Sequence, residues 1–220
     1  MKRITKAILI GVCAGVLAAV AQLAFHLERG VILGVLIAAA VAFVAGTYLY
    51  SFFCFRRIRR TLVLLEEDRV EEFIAESLRL REKTRLKGMR NNLEINLSAA
   101  YFRSGQYDKA IVILQNLAHS QLQPQMEIVR RLNLCMSYFY AGQEAQAMQL
   151  YQDSQPLFRT PQSQDLAGNL AALDVLAALT SGELDRAGQL LKQAQEKWKN
   201  PRLQQIFSEL ERRLYAKRQD

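Results

Sequence analysis

A glycine recurs three times in the second half of the chain, each time with the same neighbours at the same distances. Gly105, Gly142 and Gly182 lie 37 and 40 residues apart. An alanine follows each glycine after five residues and a proline after nineteen, at Ala110, Ala147, Ala187, Pro124, Pro161 and Pro201. Agreement at several offsets is hard to obtain by chance, and a fixed period of this size indicates a solenoid of stacked units.

The residue types at these offsets predict the structure of one unit. The glycine ends a first helix in a left-handed conformation that a side chain would resist. The alanine lies early in a second helix, where a small side chain lets paired helices approach closely. The proline closes that helix or opens the next, because it cannot occupy a helix interior without losing a hydrogen bond. Each unit is therefore predicted as helix, tight turn, helix and turn; an ordinary helical bundle is the alternative.

Further positions around the glycines agree between units. Leucine and tyrosine precede the first two glycines by eight and four residues, at Leu97, Tyr101, Leu134 and Tyr138, whereas the third unit has Asp174 and Ala178 there. With these positions the segment resembles the tetratricopeptide repeat family, whose unit is a helix–turn–helix of roughly 34 residues. The match is strongest in the first unit and weakest in the third. The resemblance implies an all-α repeat solenoid of about three helix pairs over residues 89–201.

The resemblance also implies a binding groove, because in this family the first helix of each pair lines the concave side. The positions carried over are Asn92, Ile95, Asn96, Ala99, Phe102, Arg103, Leu132, Asn133, Met136, Phe139, Tyr140, Leu173, Leu176 and Leu179. Family members that grip a peptide's C-terminal carboxylate have lysine and asparagine where this chain has Ala99, Met136 and Leu176, so no such clamp is expected. An apolar, aromatic-lined groove suits an amphipathic helix or an extended apolar peptide. Alternatively, the chain's own C-terminal helix fills it.

The first sixty residues have the pattern of a membrane segment. Residues 7–25 and 31–55 carry no charge, and about twenty residues cross a bilayer core. The connection over residues 26–30 permits only a tight hairpin. Basic residues flank both outer ends, at Lys2, Arg3, Lys6, Arg56, Arg57, Arg59 and Arg60. The positive-inside rule then places both termini and the repeats in the cytoplasm, and we expect the plasma membrane. A cleaved secretory signal is an alternative for the first run; it would leave residues 31–55 as the anchor.

Two features of the membrane segment bear on its contacts. Small residues recur at every fourth position, at Gly11, Gly15, Ala19, Gly34, Ala38, Ala42 and Gly46. Such stripes let membrane helices pack closely, within the hairpin or in a homo-oligomer, although small residues are also simply common in spans. The basic run from Arg56 to Arg60 has the sign and the place to contact anionic lipid headgroups, and equally to determine topology.

Amphipathic segments flank the repeats on both sides. Residues 61–88 are predicted to form one helix that covers the end of the first repeat, with Gly88 as its stop; a partner-binding helix is the alternative. Residues 202–220 are predicted to form a C-terminal capping helix. Cys135 is predicted to be a buried packing residue.

The sequence contains no recognisable catalytic constellation. Its two histidines, His26 and His119, are 93 residues apart, and no phosphate-binding glycine loop or metal-ligand spacing is present. Residues 1–60 carry a net charge of +7 out of the chain's +8, so the remainder has too little positive charge to favour nucleic acid. We therefore expect no enzyme, cofactor or metal site. The predicted function is a membrane-anchored adaptor that binds another protein; an oligomeric membrane component with the repeats as its docking handle is the alternative.

Overall fold

The structure is a computed structural model that describes residues 29–84 and 86–219. The described residues are all-α, with no β-strand. The helices are α1 Arg29–Glu66, α2 Val70–Lys83, α3 Lys87–Arg103, α4 Tyr107–Asn116, α5 Pro124–Tyr140, α6 Glu144–Phe158, α7 Gln164–Thr180, α8 Leu184–Lys197 and α9 Pro201–Gln219, with a 3₁₀ turn at Leu117–His119. The chain divides into two compact units, one ending at Arg57 and the other beginning at Ile58. The predicted span over residues 7–25 and its basic flank lie outside the described residues.

The first unit contributes the apolar part of α1. Among the described residues, α1 is the one helix long and apolar enough to cross a membrane, and none of its apolar window is buried. Large side chains such as Phe43 and Tyr48 are 70% and 72% exposed. The Thr47 hydroxyl donates a hydrogen bond that is shared between the carbonyls of Phe43 and Val44. The helix therefore satisfies this polar group internally. A membrane association is consistent with such a helix.

The predicted single helix over residues 61–88 is divided in the structure. α1 continues to Glu66, residues 67–69 form a turn, and α2 begins at Val70. Asp68 has a φ of 61°, a left-handed conformation that aspartate tolerates better than most residues. Gly88 is not a helix stop: it lies in the first turn of α3, and α2 ends at Lys83 instead. Hydrophobic spacing predicts helix on both sides of residues 67–69, but it does not reveal so short a turn between them.

The three recurring glycines form the same turn in all three places. Their φ angles are 74°, 75° and 74°. At the first, the N–H of Gly105 donates to the carbonyl of Phe102 and the N–H of Gln106 donates to that of Tyr101. The same two bonds recur from Gly142 and Gln143 to Phe139 and Tyr138, and from Gly182 and Glu183 to Leu179 and Ala178. This pair of bonds is the Schellman motif, which satisfies the last carbonyls of a helix and needs a left-handed residue.

Each glycine turn joins two helices that pack against each other as a hairpin, α3 with α4, α5 with α6, and α7 with α8. The alanines that follow the turns, Ala110, Ala147 and Ala187, are completely buried. Pro124 and Pro201 are the first residues of α5 and α9, where a missing N–H has no cost, and Pro161 lies in the connection between α6 and α7. The first helices of consecutive hairpins contact each other, so that α5 contacts both α3 and α7, and α5 also packs on α4 of the preceding hairpin.

The hydrophobic core is unevenly distributed along the second unit. One continuous cluster runs from Ile111 in α4 to Leu214 in α9 and includes nearly every apolar residue of α7. The part nearer Ile58 is held by three separate small clusters, built around Phe73, Leu80 and Leu97. α9 packs on α7 and α8 and closes the end of the large cluster. The second unit therefore has one large continuous core towards its C-terminus and three small separate cores towards Ile58.

Candidate partner-binding face

The predicted groove residues lie on the first helices of the hairpins, α3, α5 and α7, and their exposure separates them into two groups. The apolar members are buried at 6% exposure or less: Ile95, Leu132, Met136, Phe139, Leu173, Leu176 and Leu179. The members that keep accessible surface are Asn92, Ala99, Asn96, Phe102, Arg103, Asn133 and Tyr140. The groove predicted as apolar therefore presents amide, small and aromatic side chains at its surface, because its aliphatic members belong to the core.

The burial of the α7 positions follows from the packing of three helices. α7 contacts α5 on one side and α9 on the other, and α8 lies against it as its hairpin partner. Leu173 is completely buried, and Leu176 and Leu179 are 3% exposed. In the α7–α8 hairpin, these three leucines therefore have too little exposed surface to contact a partner.

The C-terminal helix covers the α7 end of this face. Lys217 of α9 donates a hydrogen bond from Nζ to the carbonyl of Leu179 at 3.2 Å, where it satisfies the end of α7. The Arg213 guanidinium lies over the Tyr140 ring at 4.3 Å from its centroid. α9 thus extends its contacts from α7 to the end of α5. The chain's own C-terminal helix therefore contacts the predicted groove positions Leu179 and Tyr140.

An aromatic cluster marks the boundary between the covered and the open part. Phe102 of α3, Tyr107 of α4 and Tyr140 of α5 have ring centroids 5.1 to 5.7 Å apart, with tilted and edge-on geometries. Burial raises the pKa of Tyr140, and the neighbouring Arg213 opposes that rise. The phenol therefore remains protonated at neutral pH and can serve as a hydrogen-bond donor beside the rings.

The open part of the face is formed by α3 and the adjoining side of α5. Asn92, Asn96 and Ala99 follow one another at intervals of one helical turn, and Asn133 of α5 is half-buried. Asn96 donates from Nδ2 to Oδ1 of Asn92 at 2.9 Å. Each amide side chain both donates and accepts, so this stripe can pair with the N–H and C=O groups of an extended backbone.

The groove assignment implies that Arg103 contacts a bound partner, but in the structure its guanidinium contacts the end of α1 and the turn that follows. Its guanidinium donates to the carbonyl of Leu65 at 2.6 Å and to Oδ1 of Asp68 at 2.5 Å. Leu65 lies in the last turn of α1, where carbonyls lack intrahelical partners. Arg103 therefore ties the α1–α2 turn to α3. Sequence reasoning missed this contact because the partners are 35 and 38 residues away.

A part-buried hydrogen bond links two helices of the second unit. The Tyr151 hydroxyl donates to Oδ1 of Asp174 at 2.7 Å and joins α6 to α7. Burial raises the pKa of Asp174, and the hydrogen bond from Tyr151 opposes that rise. Asp174 thus replaces the expected leucine with a polar link. Such pairs between helices leave no local signal in the sequence.

Within residues 29–84 and 86–219, no group of three or more His, Cys, Asp or Glu side chains is placed to hold a metal ion. Cys135 is completely buried, as its small-residue position predicted, and burial raises the pKa of its thiol to about 12. A thiol that stays protonated and inaccessible is a poor nucleophile.

Comparison with protein-family models, with curated proteins and with solved structures finds no match for this chain.

Proposed function

We propose that the protein is a membrane-anchored adaptor whose helical repeats hold a segment of another protein. The proposal includes a two-span anchor over residues 7–25 and 31–55, with the repeats on the cytoplasmic side of the plasma membrane. It also includes assignment of the repeats to the tetratricopeptide repeat family. Attachment to a membrane would raise the effective concentration of the adaptor for partners at the same surface.

One observation carries this proposal: the same glycine turn occurs three times, in hairpins whose first helices lie side by side. The Schellman bonds at Gly105, Gly142 and Gly182 are the same, and α5 contacts the first helices on both sides of it. Repetition of one hairpin is typical of solenoids, which use extended surfaces for binding. The unburied apolar part of α1 supports the anchor.

The accessible side chains favour an extended peptide as the partner. The aliphatic groove positions are buried, so little apolar surface remains for the apolar face of a helix. The amide stripe of Asn92, Asn96 and Asn133 can exchange hydrogen bonds with a peptide backbone, and the Phe102–Tyr107–Tyr140 cluster can contact one apolar side chain. The expected ligand is thus a short extended segment with one aromatic or aliphatic anchor.

Site-specific photocrosslinking in native membranes tests this proposal. A photoreactive amino acid is placed at Asn96, on the open stripe, and at Val112, which is 55% exposed on the second helix of the same hairpin. We expect a discrete crosslinked species from Asn96 and none from Val112. The additional substitution Ala99→Arg should abolish the Asn96 crosslink, because a long charged side chain would fill the stripe without disturbing the core.

Two results would argue against the adaptor. Equal crosslinking from Asn96 and Val112 would indicate non-specific contact with the repeat surface. Persistence of the Asn96 product in the Ala99→Arg variant, with the helical content unchanged by circular dichroism, would place the partner elsewhere.

A second candidate function is an oligomeric membrane component assembled through α1. The observation that favours it is an open small-residue position: a Cβ added at Gly46 would meet no atom within 4 Å. A second copy could therefore approach closely at the stripe that includes Ala38 and Ala42. Replacement Gly46→Leu should lower the oligomeric mass in mild detergent, whereas Ala40→Leu, off the stripe, should not. Equal masses for the two variants would remove the basis for this candidate.

A further inference from the structure

Two buried clusters join the C-terminal part of α1 to α2 and α3. Ile58, Leu80 and Leu93 belong to one buried cluster. Leu65, Phe73 and Ala100, each seven residues along its own helix, belong to the next. From the first cluster to the second, the residue numbers increase in α1 and α3 and decrease in α2. α2 therefore runs antiparallel to both neighbours, and residues near Lys83 and Lys87 lie at the same end as Ile58.

This arrangement separates the charges of the segment into two ends. The turn end carries six acidic residues between 66 and 76, against one base, Arg69. The opposite end carries five basic residues among the described residues between 79 and 90, against one acid, Glu82. Arg59 and Arg60 of α1 belong to this second end, because they follow Ile58 directly. Two basic runs that are about twenty residues apart in sequence are thus brought to one place by the fold.

Most of the basic side chains at this end are available to a ligand. Arg79 lies 3.7 Å from Glu76 and Arg81 lies 3.8 Å from Glu94, so these two are partly neutralised. The other five have no ion-pair partner within the described part of the chain and are exposed: Arg59, Arg60, Lys83, Lys87 and Arg90. We call these five residues the basic end.

We propose that the basic end binds the anionic headgroups of the bilayer in which α1 is anchored. This inference rests on the proposed membrane anchor. Arg59 follows the predicted span by four residues, a helical rise of about 6 Å, so chain connectivity keeps Arg59 near the headgroups. A basic side chain near an anionic surface raises the bound population roughly fivefold. Lys83, Lys87 and Arg90 add charges from two further helices to those of Arg59 and Arg60.

Binding at three helices has a consequence that the run Arg56–Arg60 alone does not have. A run on one helix determines which side of the membrane a span faces. Charges on α1, α2 and α3 together restrain the orientation of the whole hairpin against the surface. The acidic turn end, which the same bilayer repels, then points away from it. The face of α3 that carries Asn92 and Asn96 would be held at a fixed angle to the membrane.

Lysine footprinting of the full-length protein in nanodiscs tests this inference. Discs contain phosphatidylcholine alone or with about 30% phosphatidylglycerol, and co-migration of protein with lipid is verified first. An amine-reactive acetylating reagent then reports the reactivity of Lys83 and Lys87, with exposed Lys192 of α8 as the internal control. We expect at least about threefold slower acetylation of Lys83 and Lys87 in anionic discs, reversed at about 0.5 M salt, and no change at Lys192.

A matched pair of variants makes the test specific. Arg59→Gln combined with Arg90→Gln removes two charges from the basic end and should reduce the protection of Lys83 and Lys87 at least about twofold. Arg186→Gln combined with Arg212→Gln removes two exposed charges elsewhere and should leave that protection unchanged. All four residues are exposed, so neither variant disturbs the core.

The outcomes separate this inference from the proposed function. Co-migration with discs but equal acetylation in neutral and anionic lipid would overturn the basic end and leave the anchor intact. Failure to co-migrate would overturn the anchor and this inference together, whereas photocrosslinking at Asn96 tests the adaptor independently. Protection of Lys83 and Lys87 by single-stranded RNA in neutral discs, greater than that by anionic lipid, would overturn the inference in favour of nucleic acid.

Discussion

Two helices of this protein are similarly apolar and have opposite surroundings. In α1, the side chains described between Ile37 and Tyr50 are all exposed. In α7, the apolar stretch from Leu166 to Thr180 is packed into the core, and Leu173 and Val175 have no exposed surface. One helix has no protein partner along this part of its length within the described residues, and the other is surrounded by α5, α8 and α9.

Apolarity alone therefore does not decide whether a helix lies in the core or remains exposed. α7 has 17 residues, about 25 Å of helix, and its neighbours supply the apolar surface that it needs. α1 has 38 residues and extends well beyond any span requirement. For α7 the core replaces water, and for α1 we propose that lipid does so.

The largest effect is expected from removing a leucine side chain in each helix. Leu173→Ala in α7 should lower the free energy of unfolding by about 3 kcal/mol, because it leaves a cavity in a site with no exposed surface. Leu49→Ala in α1, which is 53% exposed, should change it by less than about 0.5 kcal/mol. Urea denaturation of the full chain in detergent, followed by the fluorescence of the single tryptophan Trp198, measures both. Comparable losses in the two variants would contradict the comparison.

A smaller effect is expected from adding a methyl group to a glycine in each helix. A Cβ at Gly168 of α7 would lie 2.4 Å from Cδ1 of Leu203 and 3.2 Å from Cδ1 of Trp198. Gly168→Ala should therefore cost about 2 kcal/mol through overpacking. Gly46→Ala in α1 meets nothing within 4 Å and should be neutral or slightly stabilising, since alanine favours helices. The same denaturation experiment applies, and an unchanged midpoint for Gly168→Ala would show that α9 is less tightly packed on α7 than described.

The sequence predicted the turns of this fold better than it predicted the accessibility of the site. Gly105, Gly142 and Gly182 carry a local signal, because a left-handed residue is needed at the end of each first helix. The burial of Met136 and Leu176 has no such signal, because it depends on how α5 and α7 pack against each other and against their neighbouring helices. The positions taken from the resemblance lie on the first helices of the hairpins, whereas the exposure of each side chain is a property of the tertiary packing.

The transition between exposed and packed surroundings occurs within α1, and Arg103 holds its packed end. Arg103→Ala removes the hydrogen bond to the Leu65 carbonyl and the ion pair with Asp68, and should cost about 1.5 kcal/mol. Hydrogen exchange at residues 62–72 should accelerate, whereas α7 should be unaffected. Arg103→Lys should restore part of the protection, since lysine can reach only one of the two acceptors at a time. Unchanged exchange in the alanine variant would show that the small apolar clusters hold this end unaided.

The smallest effect concerns a charged cluster at the edge of the large core. Glu127 accepts hydrogen bonds from Arg130 and Arg131, and Arg130 also donates to the Leu114 carbonyl. The hydrogen bond from Arg130 is the main cause that lowers the pKa of Glu127 below its ordinary value of 4.5. Glu127→Gln should cost about 1 kcal/mol at neutral pH, because the Glu127 side chain is 25% exposed and solvent screens the pair.

The pH dependence of that effect follows from the direction of the shift. A carboxyl with a lowered pKa in the folded state stabilises the protein fully above its ordinary pKa of 4.5, and this contribution disappears as the pH falls through the folded-state value. The difference between the parent protein and Glu127→Gln should therefore be constant from pH 6 to 8 and shrink below about pH 4.5. A difference that grows on acidification would contradict the ion-pair assignment.

Photolabelling from the lipid phase tests the central contrast most directly. The full-length protein is reconstituted in vesicles whose lipids carry a diazirine in the acyl chain, and labelled residues are located by mass spectrometry after irradiation. We expect labels between Ile37 and Phe55 of α1 and none between Leu166 and Thr180 of α7, although both stretches are apolar. Labels in both stretches, or in neither, would contradict it.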